Sequence, residues 1–109
     1  ERIETGLKRL DFSRMPALTF TVPDETKFRA LRIGRQALSE PDTAPCIMNA
    51  ADEVAIKAFL DRRIPFTRIT ELVEKTMETL WDEHISGPED LLDLDRKARL
   101  ITEGLIPCS

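Results

Sequence analysis

The chain has 109 residues and a mass of 12.4 kDa, which sets an expectation of one domain. Hydrophobic residues make up 41% and charged residues 33%, and the formal net charge is −4, a composition that excludes a disordered chain. One histidine and two cysteines are too few for a Cys/His zinc site, and four glycines at 6, 34, 87 and 104 lie too far apart for a glycine-rich phosphate loop or dinucleotide fingerprint.

A pI near 5.0 argues against a nucleic-acid domain. No run reaches the roughly 18 apolar residues of a membrane span. The sequence opens Glu1-Arg2 without a charged-then-apolar leader, so no secretory address is expected and a cytoplasmic setting is. In that setting Cys46 and Cys108, 62 positions apart, read as reduced thiols rather than as a disulfide.

Residues 1–23 do not read as helix. Pro16 and Pro23 interrupt them, and Leu18, Phe20 and Val22 alternate with Thr19 and Thr21, the period-two pattern of a strand-like or extended segment. Leu7, Leu10, Phe12 and Met15 add apolar side chains upstream. So large an apolar load on an irregular arm needs a surface. Two readings are open: the arm folds back on its own domain, or it is a connector whose surface belongs to another body.

Residues 24–109 read as helices separated by prolines. The first is expected to start at Asp24 as N-cap and stop before Pro41, with Ala30, Leu31, Ile33, Gly34, Ala37 and Leu38 as its apolar arc. The second lies between Thr43 and Arg62, with Pro45 in its first turn and a stripe of Ile47, Ala50, Ala51, Val54, Ala55, Ala58 and Phe59. The third is capped by Thr67 and carries Ile69, Leu72, Val73, Thr76 and Leu80 on one face, with Trp81 near its end. The fourth follows Gly87-Pro88 with a stripe of Leu91, Leu94, Ala98, Ile101 and Leu105, and Asp93 or Asp95 is placed to recap it into two pieces. Short loops favour antiparallel neighbours. The predicted fold is therefore all-α: a compact antiparallel bundle of about four helices behind an extended, partly strand-like N-terminal arm.

Three polar groupings can be weighed for chemistry. Asp82-Glu83-His84 brings carboxylates to the single histidine, but adjacent helical positions diverge, and a solvated turn is expected. Asp93 and Asp95 open like a calcium loop, but Lys97 and Ala98 stand where a ligand and a glycine are needed. Arg29, Arg32 and Arg35 recur at three-residue spacing; they read as the wet side of the first helix, with a phosphate-binding stripe as the alternative. Arg62-Arg63 sits at a helix C-terminus, where positive charge suits the dipole. The second helix is less routine. Asn49, Glu53, Ile56 and Leu60 project opposite its alanine stripe, and two of them are large and apolar. That face is covered by the arm, lies centrally in the bundle, or docks another domain or chain.

Leu10-Asp11-Phe12, Leu18-Thr19-Phe20 with Pro23-Asp24, Asn49-Ala50-Ala51 with Glu53, Ala55, Phe59 and Leu60, Phe66-Thr67 with Ile69, and Leu94-Asp95 with Ala98-Arg99 form an ordered series. This series resembles the C-terminal part of the 1-deoxy-D-xylulose 5-phosphate reductoisomerase family, from about Arg2 to Ile106. Asp52 departs from the pattern, standing where the family has a second asparagine in Asn-Ala-Ala-Asn-Glu. The resemblance implies a parent enzyme that rearranges the carbon skeleton of 1-deoxy-D-xylulose 5-phosphate and reduces it with NADPH. The product is 2-C-methyl-D-erythritol 4-phosphate, on the non-mevalonate route to isoprenoids. It implies a divalent Mg or Mn ion in a central catalytic domain, an N-terminal NADPH domain and a homodimeric parent. Localisation would be cytoplasmic, or plastid if the parent carries a transit peptide. This chain would be the connecting arm (1–23) plus the C-terminal helical domain (24–109), with no catalytic, cofactor or metal residue of its own and no nucleic-acid or membrane partner. Its partner would be the catalytic domain of the same parent chain, met through Leu10, Phe12, Leu18, Phe20, Asn49, Glu53, Ile56 and Leu60. A free-standing helical interaction module is the competing reading.

Overall fold

The structure is a computed structural model that describes residues 6–7, 10–39 and 43–107. Four α-helices follow a 3₁₀ turn at Phe12–Arg14: α1 (Arg29–Ser39), α2 (Ala44–Leu60), α3 (Arg68–Thr79) and α4 (Pro88–Gly104). The all-α expectation holds. No described residue forms a strand, so 18–22 run as irregular chain despite their alternation. A lone extended segment with no second strand to pair with has no ladder to join.

The bundle is organised around α2, which packs against all three other helices. Its buried face is Ala44, Ile47, Ala50, Ala51, Ala55 and Ala58, at helical spacing. Small side chains let α3 and α4 approach closely and leave the larger apolar groups to the neighbours. Ile33, Val73, Met77, Leu80 and Leu94 pack on the first half of this face, and Ile64, Ile69, Leu72 and Ile106 on the second.

Hydrogen bonds fix the directions. The Thr43 hydroxyl donates to the Glu83 carbonyl at 3.2 Å, bringing the start of α2 beside the end of α3. The Cys46 thiol lies 3.7 Å from the Leu91 carbonyl and Arg63 pairs with Glu103 at 2.7 Å, so α2 and α4 run the same way. Successive helices α2, α3 and α4 therefore alternate, as their short loops require. The buried hydroxyls of Thr76 and Thr102 lie 2.8 Å apart between α3 and α4. Thr102 donates to the Ala98 carbonyl at 2.8 Å, which makes Thr76 the donor to Thr102 and satisfies both groups without water.

Several boundaries differ from the sequence reading, each for a visible reason. The first helix starts at Arg29, not Asp24. The Asp24 carboxylate accepts from the Thr26 and Lys27 N–H groups and from the Thr26 hydroxyl, closing a separate turn ahead of the helix. On α1 only Ile33 and Ala37 are buried; Ala30, Leu31 and Leu38 of the expected arc are exposed, because this peripheral helix touches α2 and α3 along one narrow stripe. Helix α4 is continuous. Asp90, not Asp93 or Asp95, secures its start by accepting from the Ser86 N–H at 2.8 Å. Thr43 and Thr67 occupy N-cap positions but make no side-chain capping bond; Thr43 spends its hydroxyl on Glu83 instead.

Helix α2 ends in a Schellman turn: Arg62 N–H donates to Phe59 and Arg63 N–H to Ala58, with Arg62 left-handed at φ 59°. An L side chain there costs about 1 kcal/mol that glycine would not. Arg62→Gly is therefore expected to stabilise the chain by up to about 1 kcal/mol in denaturant unfolding. Thr102→Val strands the Thr76 hydroxyl and is expected to cost about 1–3 kcal/mol, while Thr76→Val with Thr102→Val recovers most of that loss in a double-mutant cycle.

Candidate docking surface

Among the described residues, the apolar side chains of the arm do not pack on the bundle. Leu10, Phe12, Leu18, Phe20 and Val22 are all exposed, Phe20 at 90%. The Asp11 carboxylate accepts from the Ser13 N–H and hydroxyl and so sets the 3₁₀ turn, which leaves Phe12 outward. The radius of gyration, 18.9 Å, exceeds the roughly 13 Å of a compact domain this size.

On α2, Asn49, Glu53, Ile56 and Leu60 share one outward face. All four are exposed, Ile56 at 40% and Leu60 at 71%. None of the described residues of the arm or the bundle covers this face. Its apolar end lies beside Phe59, whose ring meets the exposed Phe66 edge-on at 5.7 Å. Its polar end is fixed by α4. Arg99 binds Asp95 with two N–H groups at 2.8 and 3.2 Å and donates to Glu53 at 2.8 Å. Glu53 in turn accepts from the Asn49 amide at 3.1 Å. The Arg99 bond first and the Asn49 bond second hold the Glu53 carboxyl below its ordinary range. Burial first and the Glu53 charge second push Asp52, one residue back, upward.

The other groupings resolve plainly. Glu83 pairs with Lys97, and among the described residues no group of three or more His, Cys, Asp or Glu side chains could hold a metal. Asp93 pairs with Arg96 at 2.5 Å. Arg29, Arg32 and Arg35 are more than a wet face. Arg29 and Arg32 both grip Glu74 of α3, which is 17% exposed, and Arg35 grips Glu25 of the leading turn. The two Glu74 pairs join α1 to α3, and the Glu25 pair holds the leading turn against α1. Cys46 is a free, half-buried thiol, and Cys108 lies outside the described residues. No helix is long and apolar enough to cross a membrane among the described residues.

Asn49 and Glu53 stand out in the sequence as an outward face; Arg99, the group that orders them, does not. The spacing of Asp95 and Arg99 along α4 was legible; the reach to Glu53 depends on α2 and α4 lying side by side.

These features define a class: a small all-helical domain with an exposed apolar arm, its prominent outward features being surfaces rather than a clustered reactive site. The sequence model of the family described as DXP reductoisomerase C-terminal domain matches residues 1–101. The 1-deoxy-D-xylulose 5-phosphate reductoisomerase of Trichlorobacter lovleyi is 42% identical over 99 residues, 91% of this chain and 25% of that protein. That of Chlorobium phaeobacteroides is 40% identical over 106 residues, 97% of this chain and 28% of that protein. The solved reductoisomerase of Zymomonas mobilis in complex with NADPH superposes with a TM-score of 0.86 at 34% identity, over 100% of this chain and 29% of that one. This chain belongs to the DXP reductoisomerase C-terminal domain family. It spans about a quarter of the length of the curated relatives it matches.

A depressed carboxylate contributes stability above its unfolded value, about 4.3 for Glu, and loses it as pH falls through the folded value. Arg99→Ala is therefore expected to raise the Glu53 titration midpoint toward the ordinary range, read by NMR of the side-chain carboxyl. An unmoved midpoint would show that Arg99 does not set that charge.

Proposed function

We propose that this chain is the C-terminal structural domain of a longer, homodimeric reductoisomerase. That parent converts 1-deoxy-D-xylulose 5-phosphate to 2-C-methyl-D-erythritol 4-phosphate in the cytoplasm. The relatives' names and the likeness to the NADPH-bound Zymomonas enzyme support this reading. When bound, NADPH supplies the hydride and Mg or Mn polarises substrate oxygens. The described residues fit neither group. They form no strand-to-helix glycine turn and no metal-ligating cluster. Both groups belong to parts of the parent outside this chain, and no catalytic step is assigned to a residue here.

In this reading residues 1–23 are the connecting arm and 24–109 the helical domain. The domain braces the catalytic domain. Leu10, Phe12, Leu18 and Phe20 pack along that domain, and Ile56 and Leu60 form the apolar end of a second contact whose polar end is Asn49 and Glu53. The observation that carries this is the exposure of two apolar surfaces, the arm with Leu10, Phe12, Leu18 and Phe20 and the α2 stripe with Ile56 and Leu60. Exposed apolar area of this kind marks an interaction site.

The 109-residue chain alone is expected to oxidise no NADPH when given the sugar phosphate and Mg or Mn, whereas the longer protein does. Ile56→Glu with Leu60→Glu separates bracing from mere fold. In the 109-residue chain both positions face water, and the pair is expected to change stability by no more than about 0.5 kcal/mol each. In the longer protein it buries charge and is expected to cost about 2 kcal/mol or more, with lowered turnover. Equal behaviour in both would reject the bracing role, and full activity of the 109-residue chain would reject the domain reading.

A further inference from the structure

A groove of about 200 Å³ opens between α1, α2 and α3, beside the outward stripe of α2 and continuous with it through Asn49. Its walls are apolar, built by Ile33, Met48 and Val73. Its polar lining is Asn49, Asp52 and Thr70. The donors and acceptors of these three groups are unevenly committed. Asn49 gives an amide N–H to Glu53, which orients the amide and leaves its carbonyl oxygen as an acceptor. Thr70 donates its hydroxyl to the Thr67 carbonyl at 3.3 Å, leaving the oxygen lone pairs. Asp52 is half-buried and has no hydrogen-bond or ion-pair partner among the described residues. The Glu53 charge, one residue on, repels its carboxylate.

The groove therefore combines a hydrocarbon wall with a lip of acceptors, one of them an anion with no partner among the described residues. That is the complement of one kind of side chain: an aliphatic stem ending in a cation. We propose that the groove receives a single lysine or arginine side chain from another segment of the longer reductoisomerase. The stem lies along Ile33, Met48 and Val73, and the head meets Asp52, the Asn49 carbonyl and the Thr70 hydroxyl. This rests on the docking role proposed above and deepens it, because the groove adjoins the same α2 face and most of the relatives' length lies outside this chain. Asp52 would then be the specificity-determining anion of that contact, with Ile56 and Leu60 supplying its apolar area.

The test is the sign of one substitution in two settings. Asp52→Asn keeps the shape and removes the charge. In the 109-residue chain, where no described residue pairs with the carboxylate, it is expected to raise the thermal midpoint. In the longer protein, where the charge is paired, the same substitution is expected to lower the midpoint by a few degrees. The midpoint of the unaltered longer protein is expected to fall with added salt, and that of the Asp52→Asn variant to fall less. A raised or unchanged midpoint in the longer protein overturns the proposal. Loss of stability in both settings overturns it as well, since the cation would then come from this chain's own arm. Ile56→Glu with Leu60→Glu keeps the two readings apart. If that pair destabilises the longer protein and Asp52→Asn does not, the docking role stands and the cation contact falls. If neither does, both fall.

Discussion

The alanine face of α2 is the constraint on which the rest of the structure depends. Ala50, Ala51 and Ala55 are fully buried, so the helices that pack on them meet backbone and methyl groups rather than bulky side chains. Close approach lets α3 and α4 both lie on α2 and still touch each other, and it places Thr76 against Thr102 at hydrogen-bond distance. It also sets α4 near enough for Arg99 to reach Glu53. Overpacking in such a seam is costly, because a dense core cannot absorb even a few extra methylenes without strain.

That economy has a consequence for the surface. A helix whose inward face is mostly alanine has large residues left for the other side. On α2 these are Ile56 and Leu60, and nothing described in this chain covers them. The arm adds Leu10, Phe12, Leu18 and Phe20, all exposed, with Phe12 in the turn that Asp11 closes and Pro16 and Pro23 interrupting any helix. On the proposed reading these are the two contacts through which the domain braces a catalytic body. The polar end of the α2 stripe gives that contact a fixed register. Asn49 and Glu53 are preset by Arg99 and Asp95, so less side-chain freedom would be lost when a partner arrives.

Much of this was legible in the sequence. The helical repeat from Ile47 to Phe59 stated both the helix and its buried face, because period and composition agreed there. Thr76 on the third stripe proved buried and satisfied, although its partner Thr102, 26 residues on, had no local signature. The start of α1 was misplaced because Asp24 is a good cap, and a good cap also closes an isolated turn. Leu31 and Leu38 read as core because a helical arc says which residues share a side, not how wide a stripe its neighbours cover. The arginines of α1 read as solvated because Glu74 is distant in sequence. The exposed stripe was legible as an oddity; Arg99 behind it was not, since its reach depends on tertiary placement.

The central claim is that the arm and the outward face of α2 are buried by the rest of a longer reductoisomerase. Hydrogen–deuterium exchange measured on the 109-residue chain and on that longer protein tests it most directly. The account requires residues 10–22 to exchange near the unprotected rate in the short chain and to gain protection in the longer one, together with slower opening along the Ile56 to Leu60 end of α2. Identical exchange of both regions in the two proteins would contradict it.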